Sequence, residues 1–121
     1  MYGTLLRGCT NHFYLAGQTF IKEATTLPHY RMYDLGGFPG MVEVSDEGLS
    51  IRGEVWDVDA ACLAHLDVLE GIAVGEYVRV MIPLLPNDDP VEGYVWLRSV
   101  AGYPEVGTSW REYLAKRQAA T

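Results

Sequence analysis

The chain has 121 residues, of which 49% are hydrophobic and 12% aromatic, enough for one hydrophobic core and too few for two ordinary domains. Its 16 acidic residues outnumber the 9 basic ones, the formal charge is -7, and no basic cluster stands out, so we expect neither nucleic acid nor an anionic membrane as a partner. No apolar run approaches the roughly 20 residues of a membrane-spanning helix, and the N-terminus lacks the pattern of a secretory signal. We therefore predict a single domain over residues 1–121 in a cytoplasmic protein.

The N-terminal segment contains a glycine at the third position of the chain, within Tyr-Gly-Thr-Leu at residues 2–5. Only Met1 precedes this stretch, so we expect the first strand to be nearly absent. A loop of this kind can bind a carboxylate or hold an oxyanion through its main-chain N–H groups. Residues 11–17 predict a short helix, capped by Thr10 or Asn11.

Six stretches predict strands, because they are rich in β-branched and aromatic residues or alternate in polarity. The fifth is expected to end at Pro83, and residues 46–48 and 87–90 have the composition of turns. The predicted strands cover residues 19–26, 30–35, 41–44, 51–58, 76–82 and 91–97.

A Gly/Pro cluster at residues 36–40 separates the second and third predicted strands. Glycine permits backbone conformations and close approaches that residues with a Cβ resist. The cluster is therefore either a turn or the wall of a binding site that offers further N–H donors, and both interpretations remain open.

One predicted helix carries an acidic residue on its inward face. Asp59 is a suitable N-cap, and Gly71 is the residue type that commonly ends a helix in a left-handed conformation. Leu63, Leu66 and Glu70 are three and four residues apart and so share one side of the helix. Because the leucines mark that side as core-facing, we expect Glu70 to point inward from the last turn.

The predicted position of Glu70 should raise the pKa of its carboxyl. Burial, the negative end of the helix dipole and the charge of Asp67 one turn earlier all disfavour ionisation. A carboxyl whose pKa lies near neutral pH suits proton transfer. The alternative is structural: Glu70 is half exposed and pairs with Arg79 or Arg7.

A closing helix is predicted over residues 109–116, with Thr108 or Ser109 as its N-cap and Glu112 near its third position. Six strands with two helices form an α+β pattern. Many short antiparallel strands usually protect their edges by curling, so a partly closed barrel is expected rather than a flat sheet.

Several kinds of chemistry lack their sequence patterns here. No Ser/His/Asp set, phosphate loop, dinucleotide glycine pattern or zinc spacing is present. Cys9 and Cys62 lack metal-ligand spacing and are expected to be reduced thiols. Glu70 and the glycine-containing loops therefore favour acid/base chemistry on a small polar substrate, without a metal.

Four groups of residues, in order along the chain, resemble a known family. They are Tyr-Gly-Thr-Leu at 2–5 with Arg-Gly at 7–8 and Asn-His at 11–12; Gly-Phe-Pro-Gly at 37–40; Gly-Glu-Val-Trp at 53–56 with Leu-Asp-Val-Leu-Glu-Gly at 66–71 and Tyr-Val-Arg at 77–79; and Trp-Arg-Glu-Tyr at 110–113. The ordered set resembles the γ-glutamylcyclotransferase-like family, which includes γ-glutamylamine cyclotransferases and plant avirulence-induced proteins.

The resemblance implies a fold and a site. The fold would be a small mixed β-barrel of about six strands flanked by helices, with the active cavity at the barrel mouth. Glu70 would be the general acid/base. The substrate-binding residues would be Tyr2, Gly3, Thr4, Leu5 and Gly37.

The resemblance also implies a reaction without metal or cofactor. The α-amine of a small γ-glutamyl substrate attacks its own γ-carbonyl, which releases an amine and leaves 5-oxoproline. Because the nucleophile is tethered, positioning would supply much of the rate. The alternatives are a non-catalytic small-molecule-binding or scaffold protein that keeps the cavity, and the structural role of Glu70 described above.

Overall fold

The computed structural model describes residues 1–9, 11–72, 75–86 and 88–119. The predicted roles of Thr10 as a helix cap and of Asn87 in a turn lie outside the described residues. A short 3₁₀ helix, His12–Leu15, precedes the first strand. The other elements are β1 (Thr19–Thr25), β2 (Tyr30–Asp34), β3 (Pro39–Glu43), β4 (Arg52–Asp57), α1 (Ala60–Leu69), β5 (Tyr77–Leu84), β6 (Asp88–Trp96) and α2 (Trp110–Ala119).

The predicted α+β class is confirmed, whereas the predicted barrel is not. The described residues form three two-stranded antiparallel sheets, which pair β1 with β4, β2 with β3, and β5 with β6. An isolated bridge between Thr26 and Leu84 joins the residue just after β1 to the end of β5. At that bridge Leu27 N–H donates to the Pro83 carbonyl at 3.1 Å. Pro83 has no N–H to return the bond, so the ladder stops there.

The six predicted strands are all present, with shifts at their ends. β5 continues through Pro83 to Leu84 rather than ending at the proline, and β6 begins at Asp88, three residues earlier than predicted. Both extensions follow from the pairing of the two strands, which runs from Tyr77 opposite Trp96 to Leu84 opposite Asp88. Pairing with a partner strand thus overrides the local signal of a proline.

Two hydrophobic clusters form the core, and β6 contributes to both. Val95 lies in one cluster and Tyr94 in the other, because neighbouring strand residues point to opposite faces. The larger cluster contains Leu6, Tyr30, Met32, Met41, Ile51, Ile82, Leu84, Val95 and Trp110, and the smaller contains Leu5, Leu15, Cys62, Leu66, Tyr77 and Tyr94.

Helix α1 begins and ends where the sequence predicted. The Asp59 carboxylate accepts a hydrogen bond from Cys62 N–H at 2.7 Å, and Gly71 has a φ of 65°. The inward face is centred on Cys62 and Leu66, both buried, rather than on Leu63, which is half-buried. Among the described residues, no helix is both long and apolar enough to cross a membrane.

Candidate active site

A cavity of about 330 Å³ lies between the N-terminal loop, the turn before β3, the end of α1 and the β5–β6 hairpin. Every residue that the sequence predicted for the site lies in the wall of this cavity. The roles of these residues in binding and catalysis remain predictions. These residues are Tyr2, Gly3, Thr4, Leu5, Gly37 and Glu70.

Glu70 is half-buried at the C-terminus of α1, where its N–H donates to the Leu66 carbonyl at 2.9 Å. Burial raises the pKa of its carboxyl from 4.5 to about 7, while the N-terminal ammonium opposes this shift and Glu76 adds to it. The expected direction of the shift is therefore found, but one expected cause is wrong. The nearby like charge is Glu76 rather than Asp67, because Arg79 pairs with Asp67.

The structural interpretation of Glu70 required an arginine partner, and both candidates bind elsewhere. Arg79 Nη1 lies 2.7 Å from Asp67 Oδ2, and Arg7 Nε lies 2.9 Å from Glu54 Oε2. Neither predicted ion pair of Glu70 is present in the described part of the chain. The carboxyl thus faces the cavity without the ion pair that the structural role demanded.

The N-terminal loop is held in place although no strand precedes it in the described residues. Glu54 N–H donates to the Met1 carbonyl at 2.7 Å, so the first residue runs beside β4. Asn11 holds Thr4 twice, from its N–H to the Thr4 carbonyl at 2.8 Å and from Nδ2 to Thr4 Oγ1 at 3.1 Å. Leu5 is buried in the smaller cluster. The loop is therefore anchored at both ends.

The two glycine-containing loops differ in their main-chain donors. Gly36 and Gly37 both donate their N–H groups to Asp34 Oδ1, at 2.9 and 3.0 Å. Those two donors are therefore used within the turn and are not free to hold an oxyanion, contrary to the expectation for this cluster. By contrast, the N–H groups of residues 2–5 form no hydrogen bond with any residue that the structure describes.

Three tyrosines in the described part of the chain line the cavity, and of these only Tyr2 was predicted to belong to the site. Tyr2 Oη donates to the Tyr94 carbonyl at 2.9 Å, Tyr77 Oη to the Pro39 carbonyl at 2.7 Å, and Tyr94 Oη to Asp67 Oδ1 at 2.6 Å. Burial raises the pKa of all three hydroxyls above its usual value. They are neutral wall residues, and the alternation of β5 and β6 was the available signal for Tyr77 and Tyr94.

Next to the loop lies Glu54, a buried carboxylate that was not predicted to belong to the site. Its side chain is 1% exposed and accepts hydrogen bonds from Arg7, Arg111 and Trp56. Despite its burial, these donors lower the pKa of Glu54 to about 2. Glu54 is thus a permanently charged anchor, whereas Glu70 can exchange a proton near neutral pH.

The family model described as "Gamma-glutamyl cyclotransferase, AIG2-like" matches residues 1–112. The chain belongs to this family. The match confirms the resemblance that the four groups of residues indicated. It covers the whole cavity wall, from the N-terminal loop to β6.

Individual relatives agree with this membership. A Vibrio cholerae relative, whose name assigns gamma-glutamylcyclotransferase activity provisionally, is 46% identical over 79 residues, and the match spans 65% of this chain and 65% of the relative. A Citrobacter rodentium gamma-glutamylcyclotransferase family protein is 30% identical over 106 residues, which cover 82% of this chain and 89% of that protein. The crystal structure of a uropathogenic E. coli-specific protein has a TM-score of 0.82 at 28% identity, over 94% of this chain and 91% of that one.

Proposed function

We propose that the cavity binds a small γ-glutamyl compound and converts it to 5-oxoproline and a free amine, with Glu70 as general acid/base. One observation carries the proposal: Glu70, whose carboxyl has a pKa of about 7, lines the same cavity as residues 2–5, whose main-chain N–H groups form no hydrogen bond with a described residue. A volume of about 330 Å³ suits a small metabolite. Membership of the family supports the substrate class.

The reaction requires one proton acceptor that also returns the proton. Ionised Glu70 takes a proton from the substrate's α-ammonium, and the amine then attacks the γ-carbonyl carbon to form the ring C–N bond. The tetrahedral oxyanion is stabilised by N–H donors of residues 2–5. When the original γ C–N bond breaks, protonated Glu70 gives its proton to the leaving nitrogen. The regenerated carboxylate takes the second proton from the ring nitrogen and passes it to the released amine, which departs as an ammonium ion, so that protons and charge balance.

The N-terminal loop is suited to hold the γ-glutamyl part. No lysine, arginine or histidine is among the residues that line the cavity in the described part of the chain. Main-chain N–H groups, beside the Thr4 and Asn11 side chains and the N-terminal ammonium, are the donors available for the substrate's α-carboxylate and for the oxyanion. We therefore assign substrate binding to Tyr2, Gly3, Thr4 and Leu5, together with Gly37, which lines the same cavity.

The proposal is tested by incubating the protein with a panel of γ-glutamyl amines and γ-glutamyl amino acids and measuring 5-oxoproline by mass spectrometry. We expect product from at least one compound. A non-catalytic binding protein would instead show a raised melting temperature with these ligands and no product. Absence of product from the entire panel would contradict the enzymatic function.

The pH dependence of kcat/KM should report the ionisation of Glu70. Because the ionised carboxylate is the base, activity should rise with pH through about 7 and level off above it. At pH 5, two units lower, kcat/KM should be about 100-fold below the plateau. Initial rates between pH 5 and 9 check this, and a profile that is flat below pH 7 would remove Glu70 from the role of base.

Replacing Gly3 with alanine should damage the loop without unfolding the protein. A Cβ at this position would lie 2.4 Å from Pro39 Cγ, so the loop or the opposite wall must move. Since a displacement of about 1 Å can lower a rate about 100-fold, we expect kcat/KM to fall at least tenfold. Steady-state kinetics and circular dichroism of Gly3→Ala check this, and a kcat/KM within twofold of the parent would contradict it.

A further inference from the structure

Glu70 directly follows α1 as its C-cap, and this end of the helix is not held by apolar packing of the residues just before Glu70. Val68 is 81% exposed and Leu69 is 39% exposed. The nearest buried residue of the helix is Leu66, one turn earlier. Ile72, two residues after Glu70, packs against the smaller cluster, and Asp67, three residues before Glu70, binds side chains outside the helix.

Asp67 is held by both strands of the β5–β6 hairpin. Arg79 Nη1 donates to Asp67 Oδ1 and Oδ2, at 2.9 and 2.7 Å, and Tyr94 Oη donates to Oδ1 at 2.6 Å. Arg79 and Tyr94 lie opposite each other in the register of the hairpin. The two strands thus present an adjacent pair of donors to a single carboxylate.

Tyr94 continues this connection to the N-terminal loop. Its main-chain carbonyl accepts a hydrogen bond from Tyr2 Oη at 2.9 Å, and Tyr2 Oη accepts one from Met41 N–H at 3.3 Å. Tyr94 is 7% exposed and lines the cavity. One residue therefore holds the Glu70 helix with its hydroxyl and the N-terminal loop with its carbonyl.

We propose that Asp67 is a positioning residue, which binds Tyr94 and Arg79 and thereby fixes the Glu70 carboxyl at a set distance from the N–H groups of residues 2–5. The kinetic consequence rests on the proposed function, whereas the placement of Glu70 can be measured without it. Asp67 itself touches no reacting atom, because it lies outside the described wall of the cavity.

The expected effect on catalysis is larger than that on stability. The Arg79 and Asp67 side chains are 30% and 31% exposed, and ion pairs that solvent reaches contribute little to folding. A shift of about 1 Å between acid/base and substrate can lower a rate about 100-fold. Release of Asp67 should therefore reduce turnover in a protein that remains folded.

Tyr94→Phe is the sharpest variant, because it removes one hydroxyl, changes no charge and keeps the ring and the carbonyl that holds Tyr2. We expect kcat to fall at least tenfold, KM to stay within threefold and the melting temperature to fall by less than about 5 °C. Asp67→Asn should have the same signature. Tyr103→Phe is the matched control, since Tyr103 is 44% exposed, lies outside the cavity wall and should leave all three quantities unchanged.

A carbon-13 NMR titration of the Glu70 carboxyl decides the proposal independently of activity. If Tyr94→Phe lets Glu70 reach solvent, its titration midpoint should fall from about 7 towards 4.5. The charged groups that act on Glu70, Glu76 and the N-terminal ammonium, are the same in both proteins. The uncharged hydroxyls of Tyr2 and Tyr77, which line the same cavity, are also retained.

The outcomes separate this proposal from the proposed function. An unchanged Glu70 midpoint in Tyr94→Phe, or a kcat within threefold of an active parent, would overturn the positioning role. A parent that forms no 5-oxoproline from any compound would overturn the proposed function, and the titration would still decide whether Asp67 positions Glu70.

Discussion

Glu70→Gln should lower kcat about 1,000-fold with little change in the fold. The amide keeps the size of the side chain but can neither take the ammonium proton nor return it to the leaving amine. Positioned acid/base groups contribute about 100- to 10,000-fold to a rate, and here one residue serves both steps. The measurement is 5-oxoproline formation at pH 8 with saturating substrate.

The matched control is Glu43→Gln, a change of the same kind at the exposed end of β3. Glu43 lies outside the cavity wall, so its variant should turn over like the parent. Equal rates for Glu70→Gln and the parent would show that the proton is transferred by another group.

The stability of Glu70→Gln should also distinguish a catalytic role of Glu70 from a structural one. The folded-state pKa of Glu70, about 7, lies above its unfolded value of 4.5, so its contribution to stability is fully present below pH 4.5 and is lost as pH rises through 7. Allowing for partial exposure, the loss by pH 8 is about 2 kcal/mol. Because glutamine stays neutral, Glu70→Gln should be more stable than the parent at pH 8 and similar at pH 4. A structural ion pair would give the opposite sign in urea unfolding.

Glu54→Gln should destabilise the protein by roughly 3 kcal/mol at pH 7. The Glu54 carboxylate is 1% exposed and binds Arg7 Nε at 2.9 Å and Arg111 Nη2 at 2.8 Å. Removal of one charge from such a cluster leaves the arginines without a buried partner. The estimate lies at the low end of the usual range because both arginines are about 40% exposed and can regain water. Urea unfolding of both proteins gives the difference.

The difference in stability between the parent and Glu54→Gln should decrease as the pH is lowered. The folded pKa of Glu54, about 2, lies below the unfolded value of 4.5, so the stability from its ionised form is present above pH 4.5 and is lost as pH falls towards 2. The gap between parent and Glu54→Gln should therefore narrow over that range. Glu112→Gln is the control, because Glu112 pairs with Arg52 on the surface, at 60% and 49% exposure, and should change stability little. A gap independent of pH would mean that shape, rather than charge, explains the Glu54 effect.

Local patterns in the sequence were sufficient to predict α1 and most of the strands. A capping Asp59, a left-handed Gly71 and helical spacing were enough to direct Glu70 inward. Burial then sets the direction of its pKa, so this part of the site follows from the sequence alone. These features depend on neighbours within one or two turns, which the order of residues specifies.

Tertiary structure alone decided which groups pair across the chain. The structural alternative paired Glu70 with Arg79 or Arg7, but Arg79 binds Asp67, and Arg7 binds Glu54, which is 47 positions away. Local patterns do not specify such pairs, because each depends on how the sheets are arranged relative to α1 and the N-terminal loop. The same arrangement assigns the N–H groups of Gly36 and Gly37 to Asp34 while those of residues 2–5 remain free among the described residues. The sequence by itself thus determined an inward acid. The packing of three sheets determined that neither Arg79 nor Arg7 pairs with this acid and that it lines the same cavity as residues 2–5.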